Sequence, residues 1–187
     1  MIRLRPLERE DLKQLRDWRN DPDIFSRVRE YRYLNMENQE YWFNSLIEDP
    51  LTIMFGVEHQ PLLLSEYTLP VYGDWFLIGV CGLVNIDWIG RKAEVSIYIG
   101  DKSYRQKGLG LEILNALAKY AFEECNLNRL WAEVYESNQA GRKLFMKAGY
   151  AEEGVLLSFT YKNGRYQNSY IYRLMRDEWQ ENVVLQA

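Results

Sequence analysis

Six consecutive residues in the second half of the chain have the composition of a phosphate-binding turn: Arg105, Gln106, Lys107, Gly108, Leu109 and Gly110. Residues 93–99 before them alternate as in a strand, and residues 111–124 after them have a helical pattern. Glycine allows positive φ and a close approach of the backbone to a ligand, and the first turn of a helix leaves N–H groups without partners. The backbone N–H groups of residues 107–111 are therefore predicted to hold phosphate oxygens. The alternative is a tight turn that holds no ligand.

This turn differs from two other phosphate-binding motifs. The chain contains no G-x-x-x-x-G-K-[ST] sequence, so the turn is not a Walker loop. Gly108 and Gly110 supply the first two glycines of a dinucleotide-binding fingerprint, but Ile113 stands where the third glycine is required.

Composition excludes several classes of function. A net charge of −4 disfavours nucleic acid as the main partner. No apolar segment has the length of a signal-peptide core or of a membrane span, so a cytoplasmic protein without a membrane partner is expected. Two cysteines and one histidine are too few for a zinc site, and no metal is expected.

The phosphate-binding turn must be positioned by a mixed α/β (α+β) domain. Periodicity and turn signals predict the order β-α-α-β-β-β-α-β-α-β-β, with a long connection at residues 59–75 and hairpins at residues 75–99 and 155–174. This order predicts a mostly antiparallel, twisted sheet of six to seven strands with helices on both faces. One domain is expected to span residues 1–180, followed by a frayed tail at residues 181–187.

Several stretches together resemble the GNAT family of N-acetyltransferases. The turn at residues 105–110 is similar to the family's R/Q-x-x-G-x-G/A signature, which holds the pyrophosphate of acetyl-coenzyme A. Residues 138–150 resemble its N-x-x-A/S…L-Y/F-x-K-x-G-F/Y motif. Residues 161–179 resemble the K-x-G-x-Y…L…E-W ending of the branch with ribosomal-protein N-terminal, spermidine and aminosugar-nucleotide acetyltransferases. The resemblance implies a GNAT fold and an acetyl-CoA-dependent N-acetyltransferase.

The resemblance also implies which residues bind the coenzyme. The backbone of residues 95–99 would pair with the pantetheine arm, and the glycine turn would hold the pyrophosphate. The predicted set is Ile97, Tyr98, Ile99, Arg105, Gln106, Lys107, Gly108, Leu109, Gly110, Leu111, Asn138, Arg142 and Phe145.

Glu94 is the first candidate for the general base, because the resemblance places its strand against the thioester. Its alternative role is that of a solvated residue beside Lys92. Glu133, on the next strand, is a second candidate, although an exposed charge beside Trp131 is the favoured interpretation.

The sequence differs from the family pattern at the position of the general acid. Phe145 stands where the family usually has a tyrosine, and phenylalanine cannot donate a proton. Tyr135 and Tyr150 are candidate substitutes. Either another group protonates the leaving thiolate, or water and backbone dipoles assist it. A catalytically silent acyl-CoA-binding module is a rival interpretation, and a purely structural domain is another.

The acceptor is expected to be an amine on a small molecule or a peptide, bound near residues 23–34 and 59–75. A basic and aromatic cluster in the first of these segments favours an aminosugar nucleotide, with a protein N-terminal amine as the other leading candidate. A polyamine, whose site should be acidic, comes third. Residues 59–75 could instead cover an apolar surface in a homodimer. The members of the cluster are Arg27, Arg29, Tyr31, Arg32 and Tyr33.

Overall fold

The computed structural model describes residues 1–65 and 68–180. Its strands are β1 (Ile2–Pro6), β2 (Ile53–His59), β3 (Leu62–Ser65), β4 (Thr68–Tyr72), β5 (Phe76–Asp87), β6 (Lys92–Ile99), β7 (Arg129–Tyr135), β8 (Ala151–Lys162) and β9 (Arg165–Met175). Its helices are α1 (Leu12–Asn20), α2 (Pro22–Phe25), α3 (Met36–Glu48), α4 (Leu109–Lys119) and α5 (Gln139–Lys147). The predicted tail at residues 181–187 lies outside the described residues, as do residues 66 and 67 of the predicted connection.

Seven strands form one mixed sheet in the order β1-β2-β5-β6-β7-β9-β8. Every neighbouring pair is antiparallel except β6 and β7, which are parallel. The predicted fold class and the predicted hairpins β5–β6 and β8–β9 are confirmed. The structure adds three elements to the predicted order. These are the short helix α2 and the strands β3 and β4, which form a separate two-stranded sheet within the long connection.

Helices cover both faces of the sheet because successive residues of a strand point to opposite sides. On β5, Val80 packs with Leu15 of α1 and with Trp42 of α3. The next residue, Cys81, belongs to the larger core cluster that contains Ile113 of α4. None of the described helices combines the length and the apolar composition that a membrane span requires.

Gly100 brings α1 against the end of β6, next to the glycine turn. A Cβ atom at this position would lie only 1.9 Å from Cδ2 of Trp18, so the indole ring can pack here only against glycine. The segment after α2 is held on the same side, because Asn20 and Leu34 exchange two hydrogen bonds of 2.8 Å. The α1–α3 segment is thereby fixed beside the C-terminal end of β6.

Candidate active site

The strands β6 and β7 are hydrogen-bonded at one end and then separate. Their parallel register covers three pairs, the last of which joins Glu94 and Trp131. Beyond this point β6 remains paired with β5 as far as Ile99, and β7 remains paired with β9 as far as Tyr135. The facing edges of the two strands therefore carry backbone N–H and C=O groups that an inserted ligand can satisfy.

A cleft of about 420 Å³ lies beside the separated strands. Its walls come from β6, the loop before α4, the start of α5 and the α2 segment. Most of the predicted coenzyme residues line it, namely Ile97, Tyr98, Ile99, Arg105, Gln106, Gly108, Gly110, Leu111, Asn138 and Phe145. Lys107, Leu109 and Arg142 are absent from its lining.

The loop before α4 presents a row of free backbone donors. Gln106 and Gly108 both have positive φ, 61° and 81°, a backbone shape that turns successive N–H groups to one side. Within the described residues, no N–H group from Gln106 to Gly110 donates to a backbone acceptor. The N–H of Leu111, which was predicted to hold phosphate, instead donates to the Gly108 carbonyl at 3.0 Å. The free donors therefore suit a diphosphate, beginning one residue earlier than predicted.

Several side chains of this loop hold the loop in place. Arg105 donates to the carbonyls of Ile99 (2.9 Å) and Gly100 (3.0 Å), which fixes the loop to the end of β6. Lys107 lies with its Nζ 5.7 Å from the centroid of the Tyr104 ring. Leu109 is buried in the core.

Helix α5 and its cap line the cleft over most of their length, at positions 138, 140, 141, 144, 145 and 147. The Asn138 side chain caps the helix by accepting from the Gly141 N–H at 3.0 Å, and it also lines the cleft. Arg142, predicted to contact the coenzyme, instead donates to the Tyr172 hydroxyl at 3.2 Å and stacks over Tyr170. Lys147, which the sequence did not single out, is exposed at the cleft.

The α2 segment forms a wall of the cleft, which the sequence did not predict. Residues 23–34 were assigned to the acceptor side, but Ile24, Arg27 and Val28 line this cleft. No local pattern in the sequence indicates this position, since it depends on how α1 packs against β6. Arg27 and Lys147 add two positive charges to a cleft whose main polar groups are backbone donors, which suits a phosphorylated coenzyme.

Phe145 lies at the inner end of the cleft in an aromatic cluster. Its ring centroid is 5.1 Å from that of Tyr150, edge to face, and 6.1 Å from that of Tyr172. Tyr150 is buried, and its hydroxyl has no partner among the described residues. Tyr150 therefore packs behind Phe145 and contributes no group to the cleft lining.

Two carboxylates lie close together where β6 and β7 separate. Glu94 is 4% exposed. It accepts from both terminal nitrogens of Arg29, one of them at 3.0 Å, and from Asn85 at 2.8 Å. Arg29 also reaches Glu133 at 3.1 Å, and Ser169 donates to Glu133 at 2.7 Å. Neither glutamate is a solvated surface charge, which corrects the interpretation favoured for Glu133.

Arg29 therefore bridges the two carboxylates. Burial disfavours its charged form, but hydrogen bonding and charge pairing with Glu94 outweigh burial and raise the pKa of Arg29. Half of its side chain remains exposed, whereas the carboxylates are nearly covered. The cation therefore lies on the solvent side of the acidic pair, where another cation could replace it.

Tyr135 lies near enough to the acidic pair for the charges of both glutamates to act on its phenol, although the residue is not part of the cleft lining. Its side chain is 5% exposed, and its carbonyl accepts from the N–H of Asn138, which lines the cleft. Burial, together with the nearby charges of Glu133 and Glu94, raises the pKa of Tyr135, whereas the Arg29 charge lowers it. The phenol consequently keeps its proton at neutral pH and can donate a hydrogen bond.

Comparison with known proteins agrees with this geometry. Residues 2–151 match the family model of the acetyltransferase (GNAT) domain. Spermidine N(1)-acetyltransferase of Vibrio cholerae is 30% identical over 167 residues, 89% of this chain and 88% of that protein. Acetyltransferase PseH of Campylobacter jejuni is 27% identical over 150 residues, 79% of this chain and 83% of that protein. The crystal structure of the V. cholerae spermidine N-acetyltransferase with CoA and spermine is similar at a TM-score of 0.84 and 28% identity, covering 96% and 98% of the two chains.

Substitution of Gly108 tests the assignment of the cleft. Space around Gly108 is open, since no atom lies within 4 Å of an added Cβ. The indole of Gly108→Trp would fill this space, and we expect the affinity for acetyl-CoA to fall at least about 100-fold in calorimetric titration. Gly164→Trp is the matched control, because Gly164 also has positive φ (78°) and open surroundings, but lies in the β8–β9 turn. Equal affinity in the two variants would contradict the assignment.

Proposed function

The chain belongs to the GNAT family of acetyltransferases, whose co-substrate is acetyl-CoA, and we propose that it acetylates a primary amine of a polyamine such as spermidine. The sequence ranked this acceptor below an aminosugar nucleotide and a protein N-terminal amine. The similarity to spermidine acetyltransferases over most of both chains favours the polyamine. The structural observation that carries the proposal is the acidic pair of Glu94 and Glu133.

The acidic pair is a cation-binding site of suitable geometry. Both carboxylates already bind one cation, the Arg29 guanidinium. An alkylammonium group has the same charge and forms the same kind of hydrogen bonds. We infer that the acceptor replaces Arg29 between the carboxylates, with one nitrogen at Glu94 and the charge of a further nitrogen near Glu133.

The arginines that favoured a nucleotide acceptor do not converge in the structure. Arg27 lines the coenzyme cleft, Arg29 is held by the acidic pair, and Arg32 donates to Glu30 at 3.0 Å. Tyr33 is stacked on Phe25 with a centroid distance of 4.9 Å. These side chains lie in different places, which weakens the case for a diphosphate site built from this segment.

Displacement of Arg29 would prepare the amine for acetylation. A carboxylate that is saturated by a guanidinium is a poor base, so Glu94 becomes available when Arg29 leaves. Glu94 would then take a proton from the alkylammonium group, whose ordinary pKa is ~10.4, and leave a neutral nucleophile. Acetyl-CoA supplies an acetyl group activated as a thioester. A C–N bond forms, the C–S bond breaks, and the Tyr135 phenol donates a hydrogen bond to the departing sulfur.

Substitutions of Glu133 and Arg29 test the acceptor site, because they should change the KM for spermidine in opposite directions. Glu133→Gln removes one charge that would attract the polyamine, so the KM for spermidine should rise about tenfold in a thiol-release assay. Arg29→Ala removes the competing cation, so the same KM should fall. The affinity for acetyl-CoA should stay unchanged in both variants. Glu153→Gln is the control, because Glu153 pairs with Arg129 at 3.0 Å on the surface.

If the KM for spermidine changed in the same direction in Glu133→Gln and Arg29→Ala, the displacement of Arg29 would be contradicted. Turnover on an aminosugar nucleotide instead of spermidine would favour an aminosugar nucleotide as the acceptor. Binding of acetyl-CoA without release of CoA for any amine would favour the silent module.

Tyr135→Phe tests the hydrogen-bond donor to the leaving sulfur. Loss of the phenol should lower kcat at least about 100-fold, the usual effect of removing a donor that stabilises developing charge, with little change in the KM for acetyl-CoA. Tyr150→Phe is the matched control, since its buried hydroxyl has no partner among the described residues and should leave kcat unchanged. A slower Tyr150→Phe enzyme with normal Tyr135→Phe kinetics would reverse the assignment.

We further propose that the chain forms a homo-oligomer through the outer side of β8. This edge strand exposes Leu157 (78%), Phe159 (60%) and Tyr161 (62%). An apolar edge of this kind is normally covered. A solved V. cholerae spermidine N-acetyltransferase is dodecameric, with a TM-score of 0.79, 26% identity and 97% coverage of both chains. The sequence had placed a dimer surface at residues 59–75 instead.

Light scattering tests the oligomer. The wild-type mass should exceed that of one chain, and Leu157→Lys combined with Phe159→Lys should return it to one chain, because the charges cannot be buried at an apolar contact. Ile89→Lys is the control, because Ile89 is apolar and 98% exposed in the β5–β6 turn. A monomeric wild type would refute the oligomer. Dissociation by Ile89→Lys, but not by the β8 variant, would show that the contact lies at the β5–β6 turn instead.

A further inference from the structure

A second cavity lies on the opposite side of Tyr98 from the coenzyme cleft. It has a volume of about 340 Å³ and is enclosed by α1, α3, the segment before α3 and the sheet. Tyr98 lines both spaces. Its ring belongs to the core cluster under α1 and α3, whereas Ile97 and Ile99 on either side pack against the other core. The two cavities are therefore separate sites that share one residue of β6.

Arg19 brings an uncompensated charge to this second cavity. Its Nε is buried and has no hydrogen-bond partner in the part of the chain that the structure describes. None of the ion pairs among the described residues includes Arg19. Its nearest charge-stabilising contact is the Tyr98 ring, 6.0 Å from the guanidinium carbon. The residue as a whole is partly exposed, but a guanidinium group whose Nε is shielded from water is normally paired with an anion.

The neighbouring charges increase the positive excess. Glu30 is the one carboxylate in the lining of this cavity, and it accepts from Arg32 at 3.0 and 3.1 Å. Hydrogen bonding from Arg32 lowers the pKa of Glu30 to about 2. This carboxylate therefore stays charged, but it is already paired with Arg32 and does not compensate Arg19. Lys162 lies behind it and donates to the Glu30 carbonyl at 2.6 Å. Burial lowers the pKa of Lys162; the Glu30 charge opposes this effect, and the Arg19 charge adds to it.

We propose that the cavity binds a small organic anion, whose carboxylate or phosphate group pairs with Arg19. The amide side chains of Asn38 and Gln39 line the cavity and can donate to the same oxygens. Trp42 and Tyr41 supply flat surfaces for an aromatic or apolar part of the ligand. The volume is that of a typical small-molecule site. The proposal does not depend on which amine the enzyme acetylates.

Binding to the CoA-saturated protein tests this site, because CoA fills the other cleft. Uridine 5′-monophosphate, inorganic phosphate and citrate are titrated separately, so that the three titrations distinguish a phosphate ligand from a carboxylate ligand. We expect at least one of them to bind with a Kd below about 1 mM, and Arg19→Met to weaken that binding at least about tenfold. Arg16→Met is the matched control, since Arg16 lies on the same helix but donates to Asp17 at 2.9 Å.

Thermal unfolding gives a second, independent readout. The bound anion should raise the Tm of the wild type and of Arg16→Met, but not that of Arg19→Met. Without the anion, Arg19→Met should melt no lower than the wild type, because methionine keeps the apolar part of the side chain and removes a partly buried charge that is in no ion pair. The proposal is overturned if none of the three anions binds at 10 mM (about tenfold above the expected Kd). It is equally overturned if Arg19→Met binds as the wild type does.

Discussion

The separation of two parallel strands inside a continuous sheet is the constraint on which the active site depends. A strand edge in the middle of a protein has backbone donors and acceptors that must be satisfied. Here β6 and β7 stop pairing after Glu94 although each stays paired on its other side. The opening places the glycine loop at one end of the gap and the acidic pair at its vertex. A ligand that enters between the strands would therefore meet the free amides of the glycine loop first and the carboxylates last.

The vertex of this gap needs a cation. Two carboxylates that approach each other across diverging strands repel, and both are nearly covered, at 6% and 10% side-chain exposure. Arg29 supplies the charge from a segment that is fixed by polar contacts rather than by a strand or a long helix. If the acidic pair binds the acceptor, as proposed above, Arg29 must leave it first. A cationic acceptor could then take the place of Arg29 without leaving the two carboxylates uncompensated, whereas a neutral acceptor could not.

Local sequence patterns predicted most of the strands and helices, and the position of the glycine turn before α4, because the physical causes are local. Periodicity defines the strands, Asn138 caps the helix that follows it, and glycines permit the backbone of the turn. The acidic cluster is different. Arg29 is 65 residues from Glu94 and 104 residues from Glu133 in the sequence, so no spacing rule connects them. The prediction that Glu133 is an exposed charge is wrong, because Ser169 of β9 and Thr160 of β8 cover its carboxylate. The alternation of residues along β7 does not reveal these contacts.

Phe145 has a structural explanation that bears on the chemistry. Its ring fills a space between Tyr150 and Tyr172, so the inner wall of the cleft is apolar where the family pattern has a phenol. A proton donor would then have to come from another residue, and Tyr135, near the acidic pair, is the group proposed above. Its raised pKa makes full proton transfer to a thiolate of pKa ~8.5 unfavourable. In the proposed mechanism Tyr135 would therefore stabilise the leaving sulfur as a hydrogen-bond donor. The final proton would come from the solvent or from the group that deprotonated the amine.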